Sequence, residues 1–76
     1  MTLNEFSVLN DEQKAITVWE GEFMTYREEK GFIIMLYKVY DFYVEVYYND
    51  QNNKLVKFNP FSSKKRLELY FDVSLN

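Results

Sequence analysis

Apolar residues recur at every second position from Phe32 to Tyr48, and many of the positions between them are apolar as well. Alternation with a period of two is typical of β-strands. A sheet built from this segment has one apolar face and a second face that is only partly polar. Because apolar faces need to be covered, the segment predicts more surface to bury than helices in so short a chain can readily cover.

Turn signals around this segment predict a four-stranded antiparallel meander. Two-residue turns at Lys30–Gly31 and Tyr40–Asp41 and a three-residue loop at 51–53, with Asn53 near the left-handed conformation, join the strands. Pro60 cannot donate to a ladder and is expected to end the fourth strand or to lie on its free edge. The predicted cross-strand pairs are Met24 with Tyr37, Glu29 with Phe32, Tyr26 with Met35, Val39 with Phe42, Tyr37 with Val44, Met35 with Val46, Ile33 with Tyr48, Tyr48 with Val56, Val46 with Phe58 and Tyr47 with Lys57.

Helical spacing occurs near both ends of the chain. Asn10 or Asp11 can cap a helix over 11–20, with Trp19 as a core anchor on its apolar stripe. Residues 2–10 fit a helical turn or a docked arm. Ser62 or Ser63 can cap a second helix, although RLELYFDV at 66–73 also alternates like a strand.

Together these elements predict a single small α+β domain over residues 1–76. It is a four-stranded antiparallel meander with an N-terminal helix and a short C-terminal helix on one face. The predicted core face carries Met24, Tyr26, Ile33, Met35, Tyr37, Val39, Phe42, Val44, Val46, Tyr48, Val56 and Phe58. The apolar centre of the second face is Ile34, Leu36, Tyr43 and Tyr47, surrounded by charged residues.

Composition narrows the chemistry of the chain. It contains no cysteine and no histidine, which excludes disulfides, the usual catalytic triads and ordinary transition-metal sites. Neither a glycine-rich phosphate loop nor a calcium loop is present, so we expect no enzyme activity and no cofactor. We expect partial burial to raise the pKa of Glu45, with Lys57 or Lys38 as its partner.

Charge is distributed unevenly along the chain. The net charge is −3, yet residues 1–50 carry ten acids and four bases whereas residues 51–76 carry two acids and five bases. Such a charge dipole can steer self-association. A chance distribution of solvated surface charges also explains the difference between the two halves. The acidic balance disfavours nucleic-acid binding, which depends on neutralising phosphates.

The run SSKKRL, residues 62–67, is the one site-like cluster in the sequence. Serine hydroxyls, basic side chains and free N–H groups at a helix start can bind a phosphate or a carboxylate. A solvated basic turn or a strand-edge gatekeeper is the simpler interpretation. The possible anion-binding residues are Ser62, Ser63, Lys64, Lys65 and Arg66.

The order of helix, meander and short terminal helix, with FYVEVYY at 42–48 preceded by IMLYKVYD at 34–41, resembles a group of small uncharacterised bacterial α+β proteins. The resemblance covers roughly residues 11–72. Members of that group have Asp-Gly at the turn where this chain has Tyr40-Asp41. The resemblance implies a fold but no activity, cofactor or catalytic residue.

The sequence therefore predicts a non-enzymatic protein–protein interaction module that forms a homodimer or small oligomer, or binds a protein partner, through the second sheet face. A small-molecule or peptide-binding domain that uses the same aromatic face is the alternative. With no signal peptide and no apolar stretch of membrane-spanning length, we expect a soluble cytoplasmic protein. The predicted interface residues are Ile34, Leu36, Tyr43, Glu45, Tyr47 and Lys57.

Overall fold

The computed structural model describes residues 1–71. Its elements, in chain order, are α1 (Leu3–Ser7), α2 (Asp11–Trp19), β1 (Glu22–Glu29), β2 (Phe32–Val39), β3 (Phe42–Asn49), β4 (Leu55–Phe61) and α3 (Lys64–Leu67). The four strands form one antiparallel sheet in the order β1-β2-β3-β4. This arrangement confirms the predicted α+β class and the predicted element order.

The turns have the backbone geometry that their residues favour. Lys30 and Gly31 both have positive φ, 40° and 91°, as a tight two-residue hairpin turn requires. Asn53 has a φ of 58°, which confirms its predicted left-handed conformation. Tyr40 also lies in the left-handed region, with a φ of 55°, so the second hairpin retains a two-residue turn although tyrosine is less suited to that conformation than asparagine or aspartate.

The predicted pairing of β2 with β3 is confirmed along its whole length, from Val39 with Phe42 to Ile33 with Tyr48. Two pairs elsewhere are wrong by one residue. An irregularity between Phe23 and Thr25 places Phe23, and not Met24, opposite Tyr37. A second irregularity places Leu55, and not Val56, opposite Tyr48. Each irregularity inserts an extra residue and so reverses which side chain faces the core.

Side-chain caps fix the starts of the two N-terminal helices. Thr2 and Glu5 form a capping box at α1, and Asn10 and Gln13 form another at α2. The caps satisfy N–H groups that helices of five and nine residues otherwise leave to solvent. They fix the residue at which each helix begins and so the path of residues 2–19 across the sheet.

The hydrophobic core lies between these helices and the sheet. Phe6 of α1 and Val18 of α2 are fully buried against Val39, Phe42, Val44 and Val46 of the sheet. The ring of Phe6 lies 5.8 Å from that of Phe42 and 6.4 Å from that of Phe58. The best-packed region is therefore the half of the sheet that contains the turn between β2 and β3.

The C-terminal segment, residues 62–71, lies on the opposite face of the sheet. Arg66 and Tyr70 donate hydrogen bonds to Glu45, a residue of the second face. The prediction that both terminal helices share one face is therefore wrong. A helix of four residues has no long apolar stripe to lay on the core, and Arg66 instead reaches the buried Glu45 on the second face. Helix, and not strand, is confirmed for Lys64–Leu67, while the last two residues of RLELYFDV lie outside the described residues.

Candidate functional site

The carboxylate of Glu45 is the centre of a buried polar cluster on the second face. Arg66 Nε donates to Glu45 Oε1 at 2.8 Å and Asn59 Nδ2 donates to the same oxygen at 2.7 Å. The Tyr70 hydroxyl donates to Glu45 Oε2 at 2.6 Å, and Arg27 Nη2 approaches that oxygen at 3.4 Å. Glu45 itself is completely buried. One carboxylate is thus buried away from water and surrounded by four hydrogen-bond donors.

The pKa of Glu45 is lowered, which corrects the predicted rise. Desolvation by burial is the largest influence and raises the pKa, but hydrogen bonds from Tyr70, Asn59 and Arg66 together outweigh it. The predicted lysine partners are wrong as well, because Arg66 and Arg27 form the ion pairs. Glu45 is therefore ionised at neutral pH.

The aromatic rings of the second face hold the cations in place. The guanidinium of Arg27 lies 5.3 Å from the ring centre of Tyr70, and Lys57 Nζ lies 4.6 Å from that of Tyr47. Arg66 Nη2 also donates to the Tyr47 hydroxyl at 3.3 Å. Burial and the hydrogen bond to Glu45 raise the pKa of the Tyr70 hydroxyl, so Tyr70 remains a neutral donor.

The predicted interface residues do not share one environment. Ile34, Leu36 and Glu45 are fully buried and Tyr47 is nearly so. Tyr43 is half-buried and stacks on Phe61, and Lys57 is exposed. The chain's own C-terminal segment contacts this face through Glu45, so most of the predicted surface is an intramolecular contact in this conformation.

The Glu45 cluster, called here the clamp, is arranged as a structural contact between the sheet and the C-terminal segment. General acid–base work needs a second titrating group or a substrate within hydrogen-bond reach, whereas both oxygens of Glu45 already accept bonds from the protein. Within residues 1–71 no group of three or more acidic side chains is placed to hold a metal ion. What the cluster does is attach the C-terminal segment to the sheet.

Acid is expected to weaken this attachment. Because the pKa of Glu45 is lower in the folded chain than the value of about 4.3 for an unperturbed glutamate, its stabilisation is present above that value and is lost as the pH falls through the folded pKa. Urea unfolding between pH 7 and pH 2 should show a steeper loss of stability for the natural chain than for Glu45→Gln. Parallel pH profiles for the two proteins would contradict this assignment.

The structure divides the predicted anion-binding residues between two open cavities. The Ser63 side chain accepts a hydrogen bond from the Lys65 N–H at 3.2 Å and so acts as an ordinary cap. Arg66 is directed to Glu45. Ser62, Lys64 and Lys65 are exposed, and the helix that follows is about one turn long. Ser63, Lys65 and Arg66 line one open cavity together with Glu68, whereas Ser62 and Lys64 line a second cavity beside Tyr43.

A second candidate surface lies on the core face, where the helices do not reach. A helix of nine residues is about 14 Å long, whereas a strand of eight residues spans about 26 Å. The uncovered half, called here the open patch, consists of Tyr26, Ile33, Met35, Tyr48 and Leu55. Tyr26 is 57% exposed and Leu55 is 42% exposed, while the other three are half-buried.

Aromatic residues border the open patch on the side of the helices. Trp19 is 48% exposed and Phe23 is 50% exposed, and their ring centres lie 5.5 Å and 5.6 Å from that of Tyr37. Trp19, predicted to be a core anchor, therefore packs at the boundary of the core. Sequence reasoning assigned most of the patch to the core and missed that it is uncovered, but the short lengths of the predicted helices were a usable signal.

The chain matches no protein-family model, no curated protein and no solved structure. The resemblance to small bacterial α+β proteins therefore remains an expectation. Among the described residues, none of the helices is both long enough and apolar enough to span a lipid bilayer.

Proposed function

We propose that this protein is a non-enzymatic protein–protein interaction module that self-associates through the open patch. The observation that supports the proposal is the uncovered half of the core face, where Tyr26 and Leu55 are exposed beside half-buried Ile33, Met35 and Tyr48. Contiguous apolar surface of this kind is typical of interaction sites. Tyrosine and methionine are enriched in the centres of interfaces.

A second copy of the chain is the partner with the simplest geometry. Two-fold contacts place the same patch of each subunit against the other, which covers both patches and closes the assembly as a dimer. Charged residues at the rim, Glu28, Lys30 and Lys54, are exposed and can remain in water. A polar rim around an apolar centre is the usual anatomy of such a contact.

Association through the second face, as the sequence suggested, is a different proposal. It requires the C-terminal segment to leave Glu45 so that Ile34 and Leu36 become accessible. That rearrangement gives up the hydrogen bonds from Arg66 and Tyr70. The open patch needs no rearrangement, which is why we favour it.

Met35→Lys is expected to convert the dimer into a monomer. Met35 lies in the middle of the patch, between Tyr26 on β1 and Val46 on β3, and a lysine ammonium there must lose water when the copies meet. In 1 M salt, which screens contacts between surface charges, light scattering should give a mass near twice 9.3 kDa for the natural chain and near 9.3 kDa for the variant.

Val8→Lys is the matched control, because Val8 is 83% exposed and follows α1, away from the patch. It should leave the dimer intact. A natural chain that is monomeric at all concentrations, or a Met35→Lys variant that remains dimeric, would rule out association through the open patch. A dimer lost in Tyr43→Lys but kept in Met35→Lys would indicate the second face instead, since Tyr43 lies on that face and is only half-buried.

A small-molecule or peptide site is the weaker candidate. A cavity of about 210 Å³ lies at the edge of the patch, lined by Ile33, Met35, Tyr48 and Asn53. Ligand pockets usually occupy about 300–1,000 Å³. The Tyr48 hydroxyl and the Asn53 amide give it polar groups, but its size suits the side chain of a partner better than a whole ligand.

A further inference from the structure

The two edges of the sheet carry opposite charge. The β1 edge has exposed Glu22, Glu28 and Glu29, and its two bases are Arg27, which forms an ion pair with Glu29, and Lys30, which follows the end of the strand. On the β4 side, residues 51–67 contain no acid at all. The exposed bases of β4 and of the loop before it are Lys54 and Lys57. The uneven charge of the sequence is therefore a dipole across the width of the sheet.

Both edge strands have a free side. Within residues 1–71, β1 pairs only with β2 and β4 pairs only with β3. Because all neighbours are antiparallel, β4 runs opposite to β1. A β4 edge can thus be followed by the β1 edge of another copy, and the sheet then continues as an antiparallel sheet.

We infer that copies of this chain associate head to tail, the acidic β1 edge of one pairing with the basic β4 edge of the next. Opposite charges attract across such a contact, whereas β1 against β1 or β4 against β4 brings like charges together. The surface is separate from the open patch, and the inference does not depend on the proposed function.

One register satisfies faces and charges together. Phe61 pairs with Tyr43, Asn59 with Glu45 and Lys57 with Tyr47, so these three residues of β4 lie on the second face. On β1 the second-face residues are Thr25, Arg27 and Glu29, opposite Leu36, Ile34 and Phe32. Antiparallel pairing of Glu29 with Lys57 sets Arg27 against Asn59 and Thr25 against Phe61. Shifting the strands by two residues instead places Arg27 against Lys57.

The contact has built-in limits. Pro60 offers no N–H to an incoming strand, and the irregularity near Met24 bends the β1 edge. Lysine and proline on an edge are devices that weaken pairing. Association is therefore expected to be weak and sensitive to salt, and because the contact is heterologous it produces open rows of copies, unlike the closed dimer of the open patch.

A charge-swap experiment tests the inference. One variant carries Glu28→Lys and Glu29→Lys, the other carries Lys54→Glu and Lys57→Glu, and both also carry Met35→Lys so that the open patch contributes nothing to the measured mass. At low salt each variant alone should show a mass independent of concentration, because its two edges have the same sign. An equimolar mixture should recover a mass that rises with concentration and falls again at 1 M salt, where the screening length is about 3 Å.

Two measurements make the outcome decisive. Circular dichroism establishes that each variant is folded, and Glu12→Lys mixed with Lys38→Glu is the matched control for charge change away from both edges. In the mixture, amide NMR shifts of the labelled lysine variant should be confined to its two edge strands. No rise in mass on mixing, or shifts spread over the open patch, would overturn the inference, and neither result bears on the Met35→Lys test of the proposed function.

Discussion

Replacing Glu45 with glutamine is expected to lower the free energy of unfolding by about 3 kcal/mol. The substitution keeps the shape of the side chain but leaves Arg66 without its counter-charge and Arg27 with that of Glu29 alone. Breaking a buried ion pair by removing one partner typically costs about 3–5 kcal/mol. The lower figure applies because the Arg66 side chain is 37% exposed and regains some hydration.

Urea unfolding measures the loss, and amide exchange locates it. Exchange should accelerate most at Leu69 and Tyr70, whose N–H groups bond only within the C-terminal segment. Glu68→Gln is the control, since Glu68 is exposed in the same segment and surface changes usually stay within about 0.5 kcal/mol. Equal stability of Glu45→Gln and Glu68→Gln would mean that the cluster does not hold the segment.

Phe6→Ala is expected to cost about 3–5 kcal/mol, the usual range for removing a buried phenylalanine side chain. Phe6 is the one fully buried residue of α1 and contacts the rings of Phe42 and Phe58. A helix of five residues is not stable by itself in water, so α1 should detach from the sheet. For a domain of this size the loss is a large part of the total stability.

Urea or thermal unfolding checks the Phe6 prediction. The control is Val8→Ala, which truncates the strongly exposed residue that follows α1. Tryptophan fluorescence adds a local readout, because Trp19 packs over Phe58, which Phe6 also contacts. If the two variants unfold at the same urea concentration, the packing of α1 contributes little to stability.

The central hairpin was fully predictable from the sequence because its constraints agree. A slip of one residue between β2 and β3 moves every apolar side chain to the other face. Phe42, Val44 and Val46 had to share a face with Val39, and a two-residue turn at Tyr40–Asp41 set the register. Local pattern and turn length thus agreed on one register, and the turn stayed tight although tyrosine is poorly suited to its left-handed conformation.

The irregularities near Met24 and Val56 were not predictable in the same way. Each lies on an edge strand, where one side of the ladder is free and an extra residue disturbs fewer hydrogen bonds. Nothing in EFMTYREE or KLVKFNP marks which residue is extra. Phe23 and Leu55 therefore exchanged faces with their neighbours without any signal in the pattern.

The Glu45 cluster depends on contacts between residues far apart in the chain. The sequence indicated that Glu45 would be buried, and burial alone raises a carboxyl pKa. The sign of the pKa shift was decided by hydrogen bonds from Arg66 and Tyr70. Both lie on the C-terminal segment, and a helix of four residues is too short for its pattern to predict which face of the sheet the segment covers. Donors supplied from a distance in sequence are beyond what periodicity can predict.

The clamp also has a consequence for the order in which the chain is made. Glu45 precedes Arg66 by 21 residues and Tyr70 by 25, so the sheet emerges during synthesis with only Arg27 and Asn59 available to this carboxylate. A nascent chain cut short before Arg66 retains every strand but only two of the four donors to that carboxylate. Closure of the second face thus requires that translation has passed Tyr70, so the sheet gains this part of its stability only after all of its strands have been made.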